Sequence, residues 1–297
     1  MTQNPQKPSS DKKAIVHLLI GATMISFSPV FVRLADVGPT AAGFYRNVFG
    51  AGFLLVIVIA RRDALWRGWR PFLLALTAAA LFAADLSFWH RSIIYIGPGL
   101  STIMGNLQIF FLAAFGIAVF RERVDWRFLI SLPLAIVGLF LLVGVDWELL
   151  DSTYKIGVLF GAFTAVTYAG YVLVLQRSQS NTVRLSAAAN LAVISVLTAA
   201  IMGVETALSG ESFRIPNGRS LWSMVAYGVL CQALAWIIIS RALVKIQASR
   251  AGLILLLQPT LAFVWDVLFF SRPTNIMDVG GALLTLVAIY LGGSRRR

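Results

Sequence analysis

Three ionisable residues lie inside stretches that are otherwise apolar: Arg46, Asp85 and Asp266. A charge at bilayer depth costs about 2.5–3.5 kcal/mol on insertion scales, so each needs a partner or a wet cavity. Asp85, Trp89 and Ser92 share one helical face at spacings of four and three. A carboxylate beside a large ring and a hydroxyl can bind the ammonium of a zwitterion or exchange a proton. It can equally form a buried ion pair with Arg46 that fastens two helices without meeting any ligand. The residue types leave both readings open.

Amides form a second constellation. Ser101, Met104, Gln108 and Phe111 make one stripe at spacings of three and four, and Ile254, Gln258 and Leu261 make the matching stripe 150 residues later. Gln108 and Gln258 facing one another would offer donors and acceptors together, which is neutral recognition suited to a zwitterion. The alternative is an interhelical hydrogen bond worth about 0.6–2 kcal/mol. Trp89, Tyr168 and Trp236 sit too deep in their apolar runs for an interfacial belt, so their polar tips need protein or cavity partners. Plain filling of a bundle is the competing role in a chain with 20 Phe.

Backbone devices accompany these side chains. Pro29 and Pro259 each remove an amide donor at mid-run and free the carbonyl four residues earlier, which marks candidate hinges that Ser26 and Ser28 can partly satisfy. Gly157 and Gly161 stand at the spacing that permits close helix approach. Arg91 is placed to snorkel toward headgroups, and His90 beside it reads as a hydrogen-bonding group near the surface. The single cysteine, Cys231, lies inside an apolar run, where it serves as a small packing residue and excludes a multi-cysteine metal site.

The elements that must carry these residues are spanning helices. Of the 297 residues, 58% are apolar and only 13% charged, against about a quarter charged in soluble domains. Apolar runs cover roughly 14–35, 41–60, 71–93, 99–120, 128–145, 156–176, 186–205, 221–240, 250–271 and 276–293. Their continuity excludes a barrel, whose strands would alternate over about ten residues. The reading is an all-α integral membrane protein of ten transmembrane helices. The net charge of +12 then reflects orientation and not nucleic-acid binding: Lys12, Lys13, Arg61, Arg62, Arg67, Arg70, Arg121, Arg177, Arg184 and Arg241 mark one side, while Asp36, Asp146, Glu148, Glu205 and Glu211 mark the other. Both termini are expected in the cytoplasm. The Lys-bearing start followed by an apolar run imitates a signal peptide, but that run is about 22 residues long with no convincing cleavage site, so the first helix is expected to be retained.

Residues 91–123 echo residues 241–273 without a gap, Arg91 answering Arg241 and Leu107-Gln108 answering Leu257-Gln258. Five helices per half is an odd number, so the second half enters from the opposite face and the repeat is inverted, as in many secondary transporters. The expected order is a cytoplasmic tail (1–13), a first five-helix repeat (14–145), a periplasmic linker (146–155), a second repeat (156–293) and a basic cytoplasmic tail (294–297). Tyr45-Arg46, the Gly97 to Arg123 segment ending Phe120-Arg121-Glu122-Arg123, Gln258-Pro259 and Asp278-Val279-Gly280-Gly281-Ala282 resemble the drug/metabolite transporter superfamily, in its branch of ten helices and two EamA-type repeats. The chain departs from that pattern at Gln108-Ile109, where the family usually has proline, and at Ser271-Arg272-Pro273, where it usually has Glu.

The resemblance implies a bacterial inner-membrane exporter of amino acids, aromatic ones included, or of related metabolites, with export of other small metabolites or drugs as the alternative, working by alternating access through a cavity among the first, third, fourth, sixth, eighth and ninth helices. The substrate-lining set is Ser28, Asp85, Trp89, Ser101, Met104, Gln108, Tyr168, Trp236 and Gln258, and the structural and hinge set is Pro29, Arg46, Gly157, Gly161 and Pro259. The expected partners are a small-molecule substrate and membrane lipid, with the protein a monomer or homodimer and no cofactor or metal. An intramembrane enzyme lacks its parts here, with two histidines, one cysteine, no HExxH and no nucleotide-binding loop. A channel would need a ring of charges or a filter signature, and neither is visible.

Overall fold

The computed structural model describes residues 8–122, 124–143, 152–271 and 274–293, all helices, turns and short connections, with no strand among them. Most of the N-terminal tail, residues 146–151 of the expected linker, Arg272-Pro273 and the basic tail 294–297 lie outside the described residues. The first half comprises α1 (Pro8–Ser26), α2 (Ser28–Leu34), α3 (Pro39–Ala60), α4 (Trp69–Asn106), α5 (Gln108–Ala118) and α6 (Trp126–Val143). The second comprises α7 (Ser152–Ser180), α8 (Ala187–Ser209), α9 (Gly218–Ala226), a π-helical segment (Tyr227–Leu234), α10 (Ala235–Leu243), α11 (Ala248–Leu255), α12 (Leu257–Phe270) and α13 (Ile276–Gly293).

Among the described residues, seven stretches are long and apolar enough to cross a membrane: Lys12–Leu34, Pro39–Ala60, Trp69–Ile96, Tyr154–Ser180, Ala187–Ser209, Gly218–Leu243 and Ala248–Phe270. Shorter apolar helices occupy Met104–Ala118, Trp126–Leu141 and Ile276–Gly292. Every apolar run expected from the sequence therefore falls on an apolar helix, but three of them reach only 10–17 residues. The helical backbone also runs without interruption through 94–98, where a loop was expected. It nevertheless doubles back. The Ser101 hydroxyl donates to the Trp89 carbonyl at 3.4 Å, whereas twelve residues of straight helix would hold them about 18 Å apart. Gly97-Pro98-Gly99 lies between, and a proline with flanking glycines suits a sharp reversal.

The halves pack as counterparts. Gly138 of α6 lies so close to α13 that a Cβ there would sit 2.8 Å from the Thr285 amide nitrogen and 2.9 Å from the Gly281 carbonyl, while Gly292 of α13 approaches Ser131 of α6. Early residues of one helix meet late residues of the other, so α6 and α13 are antiparallel. The same holds for α3 and α8. Glu211, beyond the end of α8, accepts from the Thr40 and Ala41 amides at 3.0 Å each at the start of α3. Asp63, beyond the end of α3, accepts at 2.6 Å from Ser186, which caps α8. Glu211 answers unsatisfied amides at the start of α3 directly, while Asp63 holds the hydroxyl that caps α8, and both stand at a favourable place for negative charge.

Matched termini carry matched chemistry at the 150-residue offset. Asp125 accepts from Phe128 at 3.0 Å to start α6, and Asn275 accepts from Asp278 at 2.9 Å to start α13. Arg121 and Ser271 both take left-handed backbone, φ 52° and 51°, before those turns. The largest core runs from Leu18 of α1 and Leu54 of α3 through Phe82 of α4 and Tyr171 of α7 to Trp236 of α10.

Gly228 of the π segment crosses α3 backbone to backbone: an added Cβ would lie 2.7 Å from the Gly50 nitrogen and 2.9 Å from the Arg46 carbonyl. Those are backbone atoms that cannot turn aside. Gly228→Ala is expected to cost about 1–3 kcal/mol by overpacking, read as a lower thermal midpoint in detergent. Gly52→Ala, where nothing lies within 4 Å, should leave the midpoint unchanged.

Candidate functional site

Arg46 is the anchor of the central cluster. It is buried on α3, and its Nε donates to Gln232 Oε1 at 2.8 Å while a terminal nitrogen donates to the Tyr227 hydroxyl at 3.1 Å. The guanidinium carbon lies 5.1 Å from the Phe82 ring centre and 5.0 Å from that of Tyr227, within cation–π range. Gln232 in turn donates to Ser195 of α8 at 3.1 Å. Three helices are thus tied through one cation.

The π segment makes this arrangement possible. Tyr227 and Gln232 are five residues apart, which in an α-helix would turn them about 140° from one another. Hydrogen bonds from i to i+5 widen the turn and bring both onto the side facing Arg46. Neither residue was among the expected site residues. The signal that would have found Gln232 is a lone amide in an apolar run, on the segment facing an intramembrane arginine.

Asp85 is buried one turn beyond Phe82 on α4. It is within electrostatic reach of Arg46, Tyr168 and Tyr171, yet no ion pair with Arg46 forms within 4 Å among the described residues. The fastening ion pair, one of the two readings the residue types leave open, does not form here, and Gln232 and Tyr227 instead accept from Nε and one terminal nitrogen of the guanidinium. Around this core the rings close in: Phe82 stacks on Tyr171 at 4.6 Å, Tyr171 meets Trp236 edge-on at 4.9 Å, and Tyr168 meets Trp236 at 6.4 Å. Gln258 donates to the Tyr168 hydroxyl at 3.5 Å. The Tyr171 hydroxyl and Trp236 Nε1 are buried without hydrogen-bond partners among the described residues. A carboxyl group without an ion pair and two unspent donors, among the described residues, therefore share one aromatic enclosure.

The remaining expected residues gather elsewhere. Trp89, Ser101 and Met104 lie where α4 turns back, packed on α7 at the close-approach glycines: the Gly161 Cβ position is 2.5 Å from Met104 Cβ, and that of Gly157 is 2.6 Å from Tyr95 Cβ. Gln108 is buried with its carbonyl oxygen unpartnered, and no hydrogen bond joins it to Gln258. The reason is register. The turn that interrupts each helix falls at Leu107 and at Leu256, so Gln108 is the first residue after its break and Gln258 the second after its own. One residue is about 100° of rotation.

The proline breaks are real but braced. The interruption at Phe27 precedes Pro29, and Ser28 beside it has a buried, unpartnered hydroxyl. Cys231 donates to the Met24 carbonyl at 3.2 Å, Trp265 of α12 donates to Ser26 at 2.8 Å, and the Trp265 ring stacks on Phe27 at 4.5 Å. Cys231 thus serves a broken helix as well as filling space. Pro259 falls in the first turn of α12, just after the interruption at Leu256. Asp266 sits toward the end of α12 and pairs with Arg33 at 2.5 Å, with side chains 30% and 56% exposed, so it belongs to the rim and not to mid-membrane. One further expectation is corrected: His90 is buried with Nδ1 unpartnered among the described residues, because that face of α4 packs on α3 and α8, while the half-exposed Arg91 beside it pairs with Glu205 at 3.0 Å.

Apolar helices in two counterpart halves, closed around a charged and aromatic centre, define a multi-pass helical membrane protein of duplicated design. The chain belongs to the EamA-like transporter family, whose model matches residues 12–144 and again 155–292. It is 26% identical over 292 residues to an uncharacterized transporter of Archaeoglobus fulgidus, covering 92% of this chain and 94% of that one. A solved crystal structure with 16% identity superposes over 96% of this chain and 98% of its own with a TM-score of 0.79, a likeness of fold.

Removing the Gln232 acceptor leaves a buried Arg46 donor unspent. Gln232→Leu is expected to lower stability by about 1–3 kcal/mol, measured by denaturation in lipid–detergent mixtures. Tyr227→Phe should lower it less, since the ring and its cation–π contact remain. Equal, negligible losses would show that Arg46 does not hold these helices.

Proposed function

We propose that this transporter exports amino acids or related small metabolites across the bacterial inner membrane by alternating access. In this reading ten helices cross the bilayer as two inverted halves, with both termini cytoplasmic, and the carrier needs no cofactor. The observation that carries the proposal is the pairing of opposites that do not neutralise each other: Asp85 without an ion-pair partner, and the Tyr171 hydroxyl and Trp236 Nε1 without acceptors, in one enclosure. Asp85 would receive an ammonium group, and the two free donors would receive a carboxylate. The rings of Phe82, Tyr168, Tyr171 and Trp236 would pack an apolar or aromatic side chain.

The inversion is supported by the antiparallel packing of α3 with α8 and of α6 with α13. Alternating access is supported by the breaks at Phe27, Leu107 and Leu256, which let half-helices tilt while their other ends stay packed. The basic residues Arg61, Arg62, Arg67, Arg70, Arg177 and Arg184 cluster at the ends of α3, α4 and α7, which supports placing that end in the cytoplasm.

Reconstituted alone in liposomes, the protein should give saturable, ATP-independent counterflow of amino acids, strongest for aromatic ones. Asp85→Asn should reduce that flux by about tenfold or more, the scale of one lost charged contact. Flux unchanged in Asp85→Asn at every pH would remove Asp85 from both binding and proton exchange. Flux that rises linearly without saturation would favour a pore.

A further inference from the structure

Away from the centre, a cleft of about 240 Å³ opens on the outer surface between the start of α4 and the end of α7. Its lining is Arg70, Leu73, Leu74, Thr77, Arg177 and Asn181. The two arginines come from antiparallel helices, and both are exposed. Neither has an acidic partner within 4 Å among the described residues, and no carboxylate lines the cleft. Thr77 spends its hydroxyl proton on the Leu73 carbonyl at 2.8 Å, so the free donors are the guanidiniums and the Asn181 amide. Two forked cations and an amide across a small cleft match a phosphate group.

We propose that this cleft binds the headgroup of an anionic phospholipid. Phosphate chemistry alone does not distinguish a lipid from a free ion, and the surroundings decide it. Leu73 and Leu74 form an apolar wall below the arginines, and Leu73 and Leu76 are exposed along α4, offering a track for an acyl chain. Trp66, Trp69 and Phe72 form a ring cluster around the start of α4, with Trp66 to Trp69 at 5.2 Å and both tryptophans largely exposed. Tryptophans in that position sit at headgroup level. The counterpart of Arg70 at the 150-residue offset is Ser220, whose hydroxyl is used internally to accept from the Asp36 amide at 3.0 Å. The 150-residue repeat therefore does not reproduce Arg70 at the counterpart position, and the site does not depend on what the transporter carries.

The test is native mass spectrometry of the full-length protein released from detergent with phosphatidylglycerol or phosphatidylcholine of equal chain length. One tightly held phosphatidylglycerol is expected, with occupancy about thirtyfold above phosphatidylcholine, the gain expected from two juxtamembrane cations. Arg70→Gln/Arg177→Gln should abolish that preference while eluting as the same species, because both side chains are exposed. Arg61→Gln/Arg62→Gln, which removes equal charge nearby, should retain it. Equal occupancy by the two lipids, or an unchanged preference in the Arg70/Arg177 variant, overturns the proposal. Displacement of the lipid by millimolar inorganic phosphate overturns it as well, in favour of a free-anion site.

Discussion

A guanidinium inside an apolar bundle must have its donors satisfied, and here that requirement organises the centre of the molecule. Arg46 takes an amide and a phenol from the segment at 227–234 and lies over two rings. To supply both partners the helix abandons its normal turn and becomes π-helical. Widening the helix brings its own demand, close contact with α3, which Gly50 and Gly228 meet by having no side chains. The neutral partners take Nε and one terminal nitrogen of the guanidinium, and Asp85 on α4 stands outside that arrangement.

The second organising constraint is the exchange of helix ends between halves. Carboxylates following one half's helices hold the first turns of the other: Asp63 through Ser186, Glu211 on Thr40 and Ala41, and Glu122 on Ala248 and Ser249. None of these contacts lies at the bundle's centre. They fix the halves at their rims, while the interrupted helices pass through the middle, so rigidity and freedom occupy different depths.

Composition and run length made the helices legible, and the offset of 150 residues made their counterparts legible. Both rest on patterns repeated many times along the chain. The aromatic enclosure was partly legible, since Tyr168, Trp236 and Asp85 stand out as deep polar groups. What the sequence withheld was rotation. It placed Arg46 and Asp85 at similar depth but not the azimuth that gives Arg46 to Gln232. It placed Gln108 and Gln258 at the same offset, but the break in each helix is set by tertiary packing. Burial of His90 and the pairing of Arg91 with Glu205 escaped for the same reason, because which face of α4 meets α8 is no local property.

The breaks at Leu107 and Leu256 are 149 residues apart, while the motifs around them are 150 apart. A slip of one position turns every side chain beyond it by about 100° without altering any of them. For a gene made by copying half of itself, this is a source of novelty that needs no substitution. Two identical stretches, once their kinks drift apart by a single residue, show different walls to whatever lies between them. A duplicated carrier can thereby acquire an asymmetric interior before its two copies have diverged in sequence.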